Sequence, residues 1–437
     1  MTGVEVGIAS VLLIVALIYS GLYITVALGL VSFIGVWIIR GDIQFPISLL
    51  SLAVADTVSD HVFATIPLFA LMGLIVGQAG MGKDIYDVAN RIFRRIAGGL
   101  GIATVAANAV FAAITGSSIA SASVFTRIAV PEMRHFGYTA RFSVGVVAGS
   151  SVLGMLIPPS AMLIIYAIVA EQSVGQMFLA GIIPGIVLSV AYSAMIVLMA
   201  KFAPKFIGGQ GEGMDDPGHR LGLIGGLRKM SPIALLVVVV LGGIYGGVVT
   251  PVEAGAAGSL VALLIAVSKQ SLDWRGLWKV LVETGHITSV ILMLIIAASM
   301  YSRMLGVAAL PTLFAEWMAG LDLSFVAVMV LYVIMLILLG TIIDTASIIL
   351  IIVPLFLPAV EAFGGDLVWF GIVTVVGAEI GLLTPPLGLS VFAIKSVIND
   401  PDISLADIFI GTFPFAVTML LVLIAVIAFP ALSLALI

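Results

Sequence analysis

The sequence predicts an all-α integral membrane protein built from two inverted repeats. Of its 437 residues, 62% are hydrophobic and only 9% are charged, whereas about 25% of the residues in a soluble domain are charged. A water-soluble fold of this length could not bury that much apolar surface, so a lipid bilayer is the solvent that fits. A duplication of glycine and proline landmarks predicts the repeats, and an uneven distribution of basic residues predicts their opposite orientation.

The composition also excludes several classes of protein. The formal net charge is −5, and no run of basic residues suggests nucleic acid as a partner. Cysteine is absent, which excludes disulfides, thiolate metal sites and redox pairs. The four histidines lie too far apart in sequence to suggest a metal cluster. The N-terminus lacks a basic region and a clear cleavage site, which favours a retained first span over a signal peptide.

The first repeat, residues 1–200, is expected to contain five spans and one re-entrant hairpin. A span needs about 20 apolar residues, and spans are predicted at 6–19, 22–39, 62–79, 142–170 and 178–200. The apolar region 98–130 is too long for one span and too short for two. Its interruption at Gly116-Ser117-Ser118 predicts a hairpin that turns back inside the membrane. Pro158-Pro159-Ser160 interrupts 142–170 and predicts a broken helix.

The second repeat, residues 231–437, has the same plan and follows a polar linker at 201–230. Spans are predicted at 233–249, 254–267, 287–301, 369–397 and 409–429. The hairpin lies near 323–358 with its tip at Gly340-Thr341, and the broken helix lies near 368–398 with its break at Thr384-Pro385-Pro386. Gly116 precedes Pro158 by 42 residues and Gly340 precedes Pro385 by 45, which indicates an internal duplication.

Charged residues beside the two hairpins predict the orientation of the chain. Seven basic residues flank the first hairpin: Lys83, Arg91, Arg94, Arg95, Arg127, Arg134 and Arg141. Arg303 alone flanks the second, among the acidic residues Glu316, Asp322, Glu361 and Asp366. Because basic loops favour the cytoplasm, the first hairpin should open to the cytoplasm and the second to the outside. The linker is then cytoplasmic and both termini lie outside. Opposed repeats of this kind are typical of secondary transporters.

The two hairpin tips are candidate binding elements. Backbone that turns inside the membrane must be satisfied by protein or by a watery cavity. Small residues let the turn approach another backbone closely, and serine and threonine add oxygen ligands. The alternative is helix packing through small residues, which is common in membranes. Two such clusters at matched positions of the repeats favour a binding site.

The double prolines mark a second pair of candidate elements. Proline breaks a helix and frees carbonyl groups upstream, and broken helices at the midplane present carbonyls to cations and N-termini to anions. The alternative is a structural kink. Since Na⁺ is bound by several oxygens, we expect one ion between each tip and the break of the same repeat. The predicted ion-binding residues are Ser117, Ser118, Ser150, Pro158, Gly340, Thr341, Gly381 and Thr384.

A small anionic substrate is expected between the tips. The candidate substrate-binding residues are Gly116, Ser160, Asp344, Arg127 and Arg303. Asp344 lies in an apolar stretch, where a carboxylate is costly unless it is paired. It is predicted to tune an ion site, relay a proton or cap the helix that leaves the tip. Arginine is a natural clamp for carboxylates, although both arginines are also explained as charges at the membrane interface.

Two features of the sequence resemble known functional motifs, but each lacks a required residue. The run from Gly77 to Lys83 resembles a phosphate-binding loop, but Asp84 replaces the required serine or threonine and the run ends a span. ATP binding is therefore not expected, which leaves an ion gradient as the energy source. Asp344 has no second membrane aspartate with which to form an acidic protease pair. No nucleophile and base can be assembled either, so we expect no enzymatic activity.

Four segments spread over most of the chain match a known family. They are GSSIASASVFTRIAVPEMRHFGY from Gly116, GMLIPPSAMLIIYAIV from Gly154, GGIYGGVVTPVEAGAAG from Gly242 and GLLTPPLGLSVF from Gly381. Taken together these segments are specific. The chain resembles the large membrane subunit of tripartite ATP-independent periplasmic (TRAP) transporters.

The resemblance implies an elevator-type, Na⁺-coupled importer with a fold like that of the ion-transporter superfamily, in the bacterial inner membrane with both termini periplasmic. Its substrates would be organic acids such as C4-dicarboxylates or sialic acids. It implies two partners, a small four-helix membrane subunit and a periplasmic substrate-binding protein. The chain is too short to include the small subunit, which we expect as a separate protein. Family ion sites at the tips and breaks match Ser117, Ser118, Gly340, Gly381 and Thr384.

Other functions remain compatible with the residues alone. The nearest is a stand-alone cation-coupled carboxylate symporter or antiporter of the same architecture without a binding protein. A channel is a further alternative, although two re-entrant tips suit alternating access better. The residues by themselves leave both Na⁺ and H⁺ open as the coupling ion.

Overall fold

A computed structural model describes residues 2–93, 95–209, 223–320, 324–398, 400 and 403–437. Arg94, Asp322 and linker residues 210–222 lie outside this part of the chain. The described residues form helices, with no strand apart from an isolated bridge between Tyr138 and Gly208. The predicted all-α class is therefore confirmed for them. Two short elements are not α-helical: a 3-10 helix (His61–Ala64) and a π-helix (Val238–Gly242).

The α-helices follow one another along the chain in this order: α1 (Gly3–Tyr19), α2 (Ile24–Arg40), α3 (Gln44–Ser59), α4 (Thr65–Gln78), α5 (Met81–Phe93), α6 (Gly99–Thr115), α7 (Ser118–His135), α8 (Ala140–Ser151), α9 (Leu153–Leu156), α10 (Ala161–Val169), α11 (Val174–Phe202), α12 (Pro204–Ile207), α13 (Leu223–Val237), α14 (Gly243–Tyr245), α15 (Pro251–Ser268), α16 (Trp274–Val307), α17 (Leu310–Gly320), α18 (Phe325–Gly340), α19 (Thr345–Ala362), α20 (Leu367–Leu382), α21 (Leu389–Val397), α22 (Leu405–Ala428) and α23 (Ala431–Leu434).

Seven helical segments in the described part of the chain are long and apolar enough to cross a membrane. The pair α8–α9 and α10, bent by 42°, forms an eighth if it is counted as one span. The sequence predicted ten spans. Two of these, α1 and α2, have 17 residues each, or about 25 Å of helix, which is short of the hydrocarbon thickness. Helix α2 ends at Gly41, whose φ of +70° terminates it.

Charged side chains hold together helices that the sequence did not predict. Helix α5 follows α4 directly, and α13 already begins inside the segment predicted as a linker. Lys229 Nζ lies 2.5 Å from Asp87 Oδ2, and Lys269 Nζ lies 2.5 Å from Asp84 Oδ2. These pairs join α5 to α13 and to the end of α15. The end of the predicted linker is therefore helical and attached to α5.

The order helix, tip, helix, broken helix and long helix occurs twice in the structure. In the first half, α6 and α7 meet at Gly116-Ser117, and the break at residues 157–160 separates α8–α9 from α10. In the second half, α18 and α19 meet at residues 341–344, and the break at 383–388 separates α20 from α21. Both double prolines contain a cis peptide bond. Helices therefore end at both glycine tips and at both double prolines, whereas the re-entrant course of the hairpins through a membrane stays a prediction.

The two halves pack into each other around these elements. Helix α7 of the first hairpin packs on α21, and α19 of the second hairpin packs on α10. Helices α8 and α22 cross in backbone contact, because a Cβ atom on Gly145 would lie 2.1 Å from the carbonyl oxygen of Gly411. Small residues at such crossings let membrane helices approach closely. The tips and breaks of both halves thus form one packed group.

A second group of helices lies beside the first. Helix α16 packs on α2, α3 and α4, and α15 packs on α4. Arg303 of α16 pairs with Asp56 of α3, with Nη2 2.5 Å from Oδ2. The 34-residue length of α16 exceeds the span predicted at 287–301. Its first turns therefore extend past the predicted span and reach the charged residues described below.

Candidate ion- and substrate-binding site

The first hairpin tip rests directly on the first helix break. A Cβ atom on Gly116 would lie 2.3 Å from the carbonyl oxygen of Pro159, and one on Gly154 would lie 3.0 Å from that of Ser117. The carbonyl oxygen of Gly116 accepts a hydrogen bond from the amide of Ala161 at 3.4 Å. The backbones are in contact, with no room for a side chain. The tip and the break of the first repeat are thus in contact, while the ion expected between them stays a prediction.

The local sequence explains why the chain turns here. Gly116 ends α6 with a φ of +59°, a left-handed conformation that glycine adopts readily. Ser117 then caps α7 by accepting a hydrogen bond from an amide of its first turn, as serine commonly does. Ser160 caps α10 in the same way, and its hydroxyl donates to the carbonyl of Met155 at 2.5 Å. Two helices therefore begin at the contact between tip and break.

A buried polar chain ties the first hairpin to the broken helix. Asn108 Nδ2 donates to Ser150 Oγ at 2.5 Å, and Ser121 Oγ donates to Asn108 Oδ1 at 2.7 Å. Ser150 Oγ in turn donates to the carbonyl of Val146 at 2.6 Å. Buried polar groups are nearly always paired in this manner. Asn108 was not predicted, although a lone amide in an apolar helix was a usable signal, because such a group needs a partner.

Ser118 differs from its neighbours because its hydroxyl is buried without a partner. The side chain is 1% exposed and its Oγ atom forms no hydrogen bond. Leaving a buried polar atom unsatisfied costs about 1–3 kcal/mol. Ser118 directly follows Ser117, whose carbonyl faces Gly154. The carbonyl of Ser117 accepts a hydrogen bond from the amide of Ser121 at 3.1 Å, and its oxygen keeps a second lone pair. Hydroxyl and carbonyl oxygens are the ligand types that a hard cation prefers.

The second tip rests on the second break in a similar way. A Cβ atom on Gly340 would lie 2.6 Å from the carbonyl oxygen of Ala378, and one on Gly381 would lie 2.5 Å from Cα of Gly340. The amide of Gly388 donates to the carbonyl of Thr341 at 3.3 Å. The amide of Thr384 donates to the carbonyl of Gly381 at 2.9 Å, so all four residues predicted for this ion site are in contact or adjacent. Gly388 was not predicted.

The threonine hydroxyls of the second site are bonded to their own helices. Thr341 Oγ1 donates to the carbonyl of Leu338 at 2.8 Å, and Thr384 Oγ1 donates to that of Ile380 at 2.7 Å. A hydroxyl that donates its single proton still has oxygen lone pairs to offer. Both side chains can therefore serve a cation as acceptors without losing these bonds.

Two carboxylates lie beside the second tip with different roles. Asp344 caps α19, because its oxygens accept from the amide of Ser347 at 3.2 Å and from the Ser347 hydroxyl. Glu379 is 1% exposed; its Oε1 accepts from Thr345 Oγ1 at 2.7 Å, and its Oε2 has no partner. The structure thus shows the capping role among those predicted for Asp344. Glu379 joins the second hairpin to the broken helix, as Asn108 does in the first half.

Replacing Asp344 tests whether capping is its main role. Asp344→Asn is expected to keep the thermal stability of the detergent-purified protein close to that of the wild type, because asparagine also caps helices well. Asp344→Ala should lower the stability by about 1 kcal/mol. Ser324→Ala, at the exposed cap of α18, is the matched control and should behave like Asp344→Ala. A large loss in Asp344→Asn would contradict a capping role, since asparagine keeps the one oxygen that accepts from the Ser347 amide.

A cavity of about 710 Å³ lies between the first hairpin and the helices α4 and α16. The first tip forms part of its wall, together with apolar residues and a few polar ones. The tip and polar residues on which the argument depends are Thr115, Gly116, Ser117, Arg127, Lys279 and Glu283. This volume is within the range of small-molecule sites in proteins. The first tip is therefore accessible to a ligand held in this cavity.

The two predicted arginine clamps have different positions. Arg127 lines the cavity, whereas Arg303 is paired with Asp56 at the contact of α16 with α3. Arg303 is therefore bound within the protein, and its alternative role as a charge at the membrane interface stays a prediction. Ser160 and Asp344 act as helix caps, and neither is among the described residues that line the cavity.

The comparison with known proteins identifies the family. The family described as "Tripartite ATP-independent periplasmic transporter, DctM component" matches residues 11–432. The chain belongs to this family. The C4-dicarboxylate TRAP transporter large permease protein DctM of Pseudomonas aeruginosa is 34% identical over 90% of each chain. The sialic acid TRAP transporter large permease protein SiaM of Vibrio cholerae is 29% identical over 86% of each. Such relatives are permeases and not enzymes.

Other similar proteins bear on subunit composition and on fold. The isethionate TRAP transporter permease protein DctMQ of Oleidesulfovibrio alaskensis is 29% identical and covers 94% of this TRAP permease, which spans 63% of that longer protein. Among solved structures, the YdaH transporter of Alcanivorax borkumensis matches over 90% of each chain with a TM-score of 0.62 and 14% identity. An identity this low supports the fold alone.

Proposed function

We propose that this TRAP permease imports a small organic acid into a bacterial cell and is driven by a Na⁺ gradient. The substrate class follows the relatives, which are named for C4-dicarboxylate and sialic acid transport. A separate small four-helix membrane subunit and a periplasmic binding protein complete the system. The permease lies in the inner membrane with both termini in the periplasm, as the basic residues around the first hairpin favour.

The unpartnered hydroxyl of Ser118 is the observation that carries the proposal. A Na⁺ ion bound there would satisfy the buried oxygen and remove the penalty of leaving it unpaired. The carbonyl of Ser117, the hydroxyl of Ser150 and the carbonyls freed near Pro158 are the further candidate ligands. All are neutral oxygens, which suffice for a monovalent cation.

The second ion is assigned to the contact between the second tip and the second break. Its candidate ligands are the carbonyl of Ala378, the carbonyl and hydroxyl of Thr341, and the hydroxyl of Thr384. The close approach of Gly340 and Gly381 supports this placement, because it brings the backbones of tip and break together. Each ion would hold its tip against its break.

Bound cations favour an anionic substrate at the same place. A carboxylate in the middle of a membrane is costly by itself, and positive charge at the tips offsets that cost. The N-terminus of α7, which begins at the first tip, adds a partial positive charge. By linkage, Na⁺ then raises the affinity for substrate and substrate raises the affinity for Na⁺ by the same factor. This reciprocity couples the ion gradient to uptake.

An elevator movement suits the packing of the helices. The tips and breaks of both halves form one group, α16 packs with α2, α3 and α4 in another, and the cavity lies between them. A displacement of the first group along the second would carry the tips from one side of the membrane to the other.

Reconstituted uptake tests the function. Proteoliposomes containing the permease and its small subunit are supplied with the binding protein and with labelled succinate or N-acetylneuraminate. We expect uptake of at least one acid that requires both the binding protein and an inward Na⁺ gradient. Uptake that persists when choline replaces Na⁺ would contradict ion coupling. Equal uptake without the binding protein would favour the stand-alone symporter.

A further inference from the structure

Three charged side chains in the cavity have no partner within the protein. Arg127 of α7 and both Lys279 and Glu283 of α16 line the cavity and are exposed within it. In the part of the chain that the structure describes, none of the three forms a hydrogen bond or an ion pair. Four other cations are paired with acidic groups, namely Arg141, Lys229, Lys269 and Arg303. The charges in the cavity are therefore available to a ligand.

Arg127 leaves the backbone of α7 beyond the first tip, and helical side chains lean toward the N-terminus of their helix, here toward the tip. Arg127 follows Ser118 by nine positions on α7, which corresponds to about 13 Å along the helix axis. Arg127 and Lys279 also come from different groups of helices, because α7 packs on α6, α8 and α21 whereas α16 packs on α2, α3 and α4. The cavity wall thus combines hydroxyl and backbone groups of the first tip with cations from two groups of helices.

We infer that Arg127 and Lys279 form an anion subsite that binds a second acidic group of the substrate and selects doubly charged organic acids over singly charged ones. The inference rests on the proposed function, since it concerns the same cavity. Glu283 lies one turn from Lys279 on α16 and leaves the three side chains with a single net positive charge. One carboxylate of the substrate neutralises that charge, whereas a further anionic group would be repelled by the carboxylate of Glu283. Arginine binds a carboxylate through its planar fork of N–H groups, and lysine adds a point charge.

A single introduced cysteine can report the electrostatic potential around Arg127 and Lys279, because the chain has no cysteine of its own. Ser123→Cys places a thiol on the cavity wall. Its rates of reaction with an anionic and a cationic methanethiosulfonate reagent are compared in phosphatidylcholine proteoliposomes, where no anionic lipid can occupy the subsite. Adding Arg127→Gln and Lys279→Gln should lower the anionic-to-cationic rate ratio at least about threefold. Arg275→Gln, which removes a charge from α16 outside the described cavity wall, is the matched control and should leave the ratio unchanged.

Protection of the same thiol tests the selectivity. Malonate, succinate, glutarate and adipate are each compared with their own monoamide at equal ionic strength. At least one dicarboxylate should slow labelling more than its monoamide, and the difference should disappear in Arg127→Gln/Lys279→Gln. An unchanged rate ratio in that variant, or equal protection by every acid and its monoamide, would overturn the subsite. Na⁺-dependent uptake that persists alongside either result would leave the proposed function intact.

Discussion

Gly116→Ala is expected to reduce Na⁺-driven uptake per folded protein by about 100-fold, the equivalent of roughly 3 kcal/mol. The new Cβ atom would lie 2.3 Å from the carbonyl oxygen of Pro159, so the tip must move away from the break. A residue with a side chain also loses about 1–2 kcal/mol in the left-handed conformation that Gly116 adopts. Uptake in proteoliposomes measures the effect, and gel filtration of the detergent-purified variant measures the folded fraction.

Gly80→Ala is the control that separates backbone conformation from contact. Gly80 has a φ of +70°, but nothing lies within 4 Å of a Cβ atom built there. This variant bears the same conformational penalty without pushing the tip away, and it should keep most of its uptake. Similar uptake by the two variants would show that the contact between tip and break is dispensable for transport.

Ser118→Ala is expected to raise the Na⁺ concentration for half-maximal uptake by about tenfold or more, since a ligand worth 1.4 kcal/mol or more is removed. Because Ser118 Oγ forms no hydrogen bond in the protein, its removal should leave the thermal stability in Na⁺-free buffer unchanged or slightly higher. A residue that is purely structural would show the opposite pattern. Na⁺ titrations of uptake and thermal unfolding with and without Na⁺ give both readouts.

Ser151→Ala is the matched control for this variant. Ser151 is also fully buried, but its hydroxyl donates to the carbonyl of Ala148 at 2.8 Å. Its loss should lower stability by about 1 kcal/mol and leave the Na⁺ dependence of uptake as in the wild type. If the two serine variants respond to Na⁺ alike, Ser118 is not an ion ligand.

The tips and breaks could be predicted because their signals are local in sequence. Gly116, the double prolines and their repeated spacing required only that backbone freed inside a membrane be satisfied somewhere. The structure puts each tip on the break of its own half. The membrane orientation of the two halves, the movement between them and the identity of the ion remain predictions, because they depend on the bilayer and on ligands.

Other features depend on which helices become neighbours, and periodicity does not contain that information. The Asn108–Ser150 and Thr345–Glu379 hydrogen bonds join residues 42 and 34 positions apart. Arg303 is paired and Arg127 is not, because Asp56 lies beside Arg303. Asp56 belongs to α3, a helix that the sequence did not predict. The attachment of α13 to α5 depends on Asp84 and Asp87, which pair with Lys229. In each case a partner distant in sequence decided the structure.

Equilibrium binding of radioactive sodium ions to the purified permease tests the central claim most directly. The account predicts saturable binding that Ser118→Ala weakens, while Ser151→Ala binds as the wild type does. Binding that does not saturate, or that is the same in Ser118→Ala and the wild type, would contradict the assignment of a cation to the first tip and break.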